Sequence, residues 1–111
     1  MLDLHPVTEQ QVEAGGRILG VIREPDFVDR DLPNAEAGLE RVLADGLFAL
    51  EAAVEFDVLQ HFETTRDLLE KEAEHLVGQA ALERVIREEP PPLVLREHVV
   101  LRRLCALPAG S

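Results

Sequence analysis

Apolar residues recur along most of this chain at spacings of three and four, interrupted by glycine, proline and charged clusters, and that rhythm predicts helices. Asn34 suits a helix N-cap and Glu36 suits the positive end of the helix dipole; from there the chain runs to about Phe62 without a proline. At about 100° per residue, Leu39, Leu43, Leu47, Leu50, Val54 and Val58 form one stripe, while Phe48, Ala52, Leu59 and Phe62 lie on the opposite side. A helix that is apolar on two sides is either central in its domain or buried against a partner. In a chain this small the partner is the better expectation, with Phe48, Leu59 and Phe62 as the subunit contact.

Thr64 and Thr65, followed by Asp67, can cap a second helix that continues to about Glu89, where Pro90, Pro91 and Pro92 end it. The alternative is one continuous helix over residues 35–89, because no glycine or proline lies between His61 and Leu76. Towards the N-terminus, Thr8 and Gln11 have the form of a capping box, which predicts a short helix stopped by Gly15 and Gly16. Ile18, Leu19, Val21 and Ile22 fit a short strand or a buried extended segment, and residues 23–34, dense in Pro, Asp and Asn, read as a loop. Beyond the prolines, residues 93–107 fit a helix with Leu93, Val100, Leu104 and Leu107 on one face, or a strand favoured by Val94, Val99 and Val100; Pro92, suited to a first helical position, tips the choice to helix. The expected fold is therefore mainly all-α, a helical hairpin or small bundle with a short N-terminal extended segment, and α+β as the alternative.

Composition narrows this picture. The 111 residues fit one small domain, and 46% hydrophobic content is enough to build a core despite a net charge of -11. That charge opposes nucleic acid and anionic membranes as direct partners. It is unevenly spread: residues 90–111 hold Arg96, Arg102 and Arg103 against Glu97 alone, so this segment is expected to dock on an acidic body. Cys105 is the single cysteine, and charged residues interrupt every hydrophobic stretch before it reaches bilayer length, so the expected compartment is the cytoplasm.

One stretch carries candidate chemistry. In DVLQHFETTRDLLEKEAEH, residues 57–75, Asp57 and His61 lie about one helical turn apart, and Glu72 and His75 form Glu-x-x-His. A hairpin turning near Thr64 brings these four level, giving two carboxylates and two imidazoles, a donor set suited to Fe, Mn or Zn. The competing account pairs Asp57 and His61 with each other or with Arg66, and leaves Glu72 and His75 at the edge of the packed face. Locally the stretch resembles the Glu-x-x-His half-motif of ferritin-like di-iron bundles, in which a carboxylate from one helix joins Glu-x-x-His from the next. It departs from that pattern in having Asp57 for the expected Glu, in adding His61, and in needing its second half-site from another subunit.

Other chemistry is weaker. Gly15, Gly16 and Gly20 match neither a dinucleotide fingerprint nor a P-loop; Asp26, Asp29 and Asp31 are out of register for a calcium loop; and Ser111 is the only serine. No catalytic residues, and no cofactor beyond that optional metal, are expected. The sequence thus predicts a small acidic cytoplasmic protein–protein interaction module, an adaptor, regulator or accessory subunit that associates with itself and with a protein partner. The alternative is a ferroxidase-like or other metal-binding helical protein.

Overall fold

The computed structural model describes residues 1–108. Among the described residues, five antiparallel strands form one sheet beside three α-helices, with 40% in strands and 33% in helices, so the mainly all-α expectation is wrong and the fold is a sheet-rich α+β. Each difference has a local cause.

Residues expected to start with a short helix instead make a hairpin of β2 (Gln11–Ala14) and β3 (Arg17–Val21), preceded by β1 (Leu2–Pro6). Gly15 and Gly16 take positive φ values of 56° and 77°, the backbone that a two-residue hairpin turn needs. The glycine pair is a reversal and not a helix stop. Residues 27–31 wind into one π-helical turn that runs directly into α1 (Leu32–Ala44), with proline in its first turn.

α1 ends well before Phe62. Gly46, at a φ of 72°, follows the last turn, and the Asp45 and Gly46 amides donate to the Arg41 and Leu43 carbonyls, satisfying groups that the helix end would leave unpaired. The chain then runs as β4 (Phe48–Phe62), fifteen residues long. In FALEAAVEFDVLQHF the residues Phe48, Leu50, Ala52, Val54, Phe56 and Val58 recur at period two, which is a strand pattern. Spacings of four satisfy a period of two as well as one of 3.6, so Leu50, Val54 and Val58 fit both; Ala52 and Phe56, between them, join that face only in a strand.

No helix precedes Thr64, so the expected helical hairpin is absent, and the expected helix to Glu89 is split in two, with Gly78 at a φ of 81° between the halves. The Thr64 Oγ1 accepts from the Asp67 amide at 3.1 Å and opens α2 (Thr65–Lys71). α3 (Ala80–Glu88) follows, and the prolines after it lead into β5 (Leu93–Ala106), a strand where a helix was preferred. Its β-branched Val94, Val99 and Val100 outweigh the single helix-start signal of Pro92.

Two compact units share the chain. The first takes Met1–Thr8, Pro25–Phe56 and the segment from His98; β1 pairs there with residues 99–103 of β5, in the register Leu4 to Leu101. Val99, Val100 and Leu104 are buried in it, and His5 sits between Asp3 at 3.2 Å and Glu36 of α1 at 3.0 Å, with the Arg102 guanidinium on the same two carboxylates. The second takes Glu9–Glu24 and Asp57–Glu97; β2 pairs there with residues 94–96 of β5. Its core joins Val12, Ala14, Ile22, Phe62, Leu68, Leu76, Ile86, Leu93 and Leu95, to which both short helices and the hairpin contribute. Among the described residues no helix is long and apolar enough to cross a membrane.

Candidate functional site

Two features stand out from this frame, a strand edge and a carboxylate–imidazole cluster. β4 pairs with β5, and no other described strand flanks it. Its residues from Leu50 to His61 are exposed, among them Leu50 at 47%, Val54 at 53% and Phe56 at 39%, with Val58 and Leu59 similar. Natural edge strands are generally kept short, or guarded by proline, lysine or a bulge, because their unpaired amides and carbonyls offer a template for another strand. β4 has fifteen residues and contains no proline, glycine or lysine. Its acidic residues do not guard the edge either, since they turn to β5 of the same chain: Glu51 to Arg103 at 3.4 Å, Glu55 to His98 at 3.3 Å and Asp57 to Arg96 at 2.7 Å.

The three residues expected at a subunit contact divide by environment. Phe62 is 8% exposed and belongs to the core of the second unit; Phe48 is half-buried; Leu59 is exposed on β4. Besides Leu59, the large apolar residues of β4 that lie open are Leu50, Val54 and Val58, which the helical projection places on the first stripe, and Phe56, which it places on neither.

The cluster lies in the second unit. Glu72, just past the end of α2, is 2% exposed, and its carboxylate accepts from His75 Nδ1 at 2.7 Å and from the Gln10 side-chain amide at 3.3 Å. Glu24 lies 3.7 Å from the same imidazole nitrogen and also accepts from Gln10. Donor atoms of Glu24, Glu72 and His75 thus fall within 4.8 Å of one another. Glu72 holds the His75 pKa above the ordinary histidine value against the opposing pull of burial, and Glu24 adds to the rise. Burial, with the nearby Glu24 and Glu72 charges, pushes the Glu97 carboxyl above the usual carboxylate range. Two carboxylates and one imidazole form a donor set whose chemistry suits a cation, either a protonated imidazole or a divalent ion.

Of the four residues expected to converge, the structure brings together Glu72 and His75. Asp57 is bonded to Arg96, and His61 is exposed on β4; the donor group that forms contains neither. Glu24, which does belong to it, and Gln10, which donates to both carboxylates, are distant in sequence and carried no local signal, because the β2–β3 hairpin that they flank was expected to begin as a helix. Comparison with protein-family models, curated proteins and solved structures gives no match for this chain.

Proposed function

We propose that this protein is a small acidic interaction module that accepts an extended segment along the outer edge of β4, serving as an adaptor, regulator or accessory subunit in the cytoplasm. The observation that carries the proposal is a fifteen-residue strand with one described strand partner, exposed from Leu50 to His61 and free of the residues that ordinarily guard an edge. Strand addition supplies main-chain hydrogen bonds from either partner, and alternate side chains set specificity. The lone thiol of Cys105 agrees with a reducing compartment.

An unrelated extended peptide of alternating valine and threonine, added at a dilution where no second copy competes for the edge, tests this. It is expected to slow hydrogen exchange of the β4 amides, and Val54→Lys, which sets a charge on the open face, is expected to remove that protection. Unchanged exchange at saturating peptide would sink the proposal.

A second reading, binding of a divalent transition-metal ion, is favoured by the buried Glu72 carboxylate with Glu24 and His75 donors within 4.8 Å. Imidazole nitrogen with carboxylate oxygen suits zinc or manganese. Calorimetric titration with zinc is expected to give one site per chain, lost in His75→Ala; equal heats for both proteins would remove this reading.

A further inference from the structure

We infer that the segment received by β4 is β4 of a second copy of this chain, running antiparallel about a two-fold axis at Ala52. The inference rests on the proposal that β4 is a strand-accepting edge, and it names the occupant.

Residues 48–56, FALEAAVEF, lie wholly in the first unit and are complementary to themselves when reversed. With Ala52 opposite Ala52 of the second copy, Phe48 meets Phe56 and Leu50 meets Val54 on one face. On the other face Glu51 meets Ala53 and Glu55 meets Ala49. No glutamate opposes another, and each stays directed to a side chain of its own chain, Glu51 to Arg103 and Glu55 to His98. Directly opposed like charges are destabilising in an antiparallel pair, so neighbouring registers are disfavoured. An axis at Glu51, Ala53 or Glu55 sets glutamate against glutamate, and an axis at Val54 sets Glu51 against Asp57. Registers whose axis falls between residues oppose the apolar face to the polar one. The nine paired residues span about 30 Å, ample for a stable ladder.

The test uses the full chain with Cys105→Ser. Sedimentation velocity at micromolar concentration is expected to give a dimer, reduced to a 12.3 kDa monomer by Val54→Lys. Opposed Cα atoms in an antiparallel pair lie about 4.5–5.5 Å apart, within disulfide reach. Under mild oxidation Ala52→Cys is therefore expected to give a covalent dimer, and Ala49→Cys, which faces Glu55, to give little. A dimer that crosslinks equally at both positions overturns the register. A monomer that still binds the valine–threonine peptide overturns the second copy and leaves the edge proposal standing; a monomer that binds no peptide overturns both.

Discussion

His75 illustrates how much a single contact decides. Its Nδ1 donates to a carboxylate that is 2% exposed, and that bond is the largest cause of the raised imidazole pKa. A histidine with a raised pKa stabilises the fold fully below the ordinary histidine value, and the contribution is lost as pH rises through the raised one. Glu72→Gln is expected to bring the His75 titration midpoint back down towards the ordinary value in an NMR titration. A midpoint that does not move would mean that Glu24 alone sets it. Glu36 works in the opposite sense: the hydrogen bond from His5 holds its carboxyl below the usual range, against burial and with help from Arg102, so its contribution is present above that range and lost on acidification. The Glu72–His75 pairing was legible from its i, i+3 spacing. Glu24 and Gln10 were not, because contacts across more than forty residues leave no mark in a local pattern.

At the scale of elements, local chemistry was readable wherever it was unambiguous. Thr64 caps α2 as its hydroxyl and the following Asp67 predict, and the prolines end the helical stretch before residue 90. The strands were missed where two periodicities share positions. Leu50, Val54 and Val58 lie four apart, which suits either element, and the deciding residues were Ala52 and Phe56 between them and Gly46 before them. Gly46, with its positive φ, ends α1 although no proline follows before Phe62. α3 shows the opposite case, a short helix held by packing: Ile86 is fully buried in the core of the second unit. Truncating it removes several buried methyl groups and leaves a cavity, so Ile86→Ala is expected to cost about 2–5 kcal/mol in urea denaturation. A loss below about 1 kcal/mol would show that α3 is not held by that contact.

For the whole molecule, the acidity read from the sequence stands, whereas Phe48, Leu50, Ala52, Val54 and Val58, which a helix would divide between two sides, share one face of β4. A two-faced helix and an exposed strand both leave apolar surface that a monomer has reason to cover, so the expectation of association carries over while the residues change from Phe48, Leu59 and Phe62 to the open row of Leu50, Val54 and Phe56. With its acids turned to Arg96, His98 and Arg103 of β5, the edge of β4 can accept a strand without bringing unpaired carboxylates against it. Residue-resolved hydrogen exchange of the β4 amides, at a dilution where the chain is monomeric, with and without the extended valine–threonine peptide, tests this most directly. The outward-facing amides between Leu50 and His61 are predicted to become protected as peptide is added; amides that exchange at the same rate throughout the titration would contradict the account.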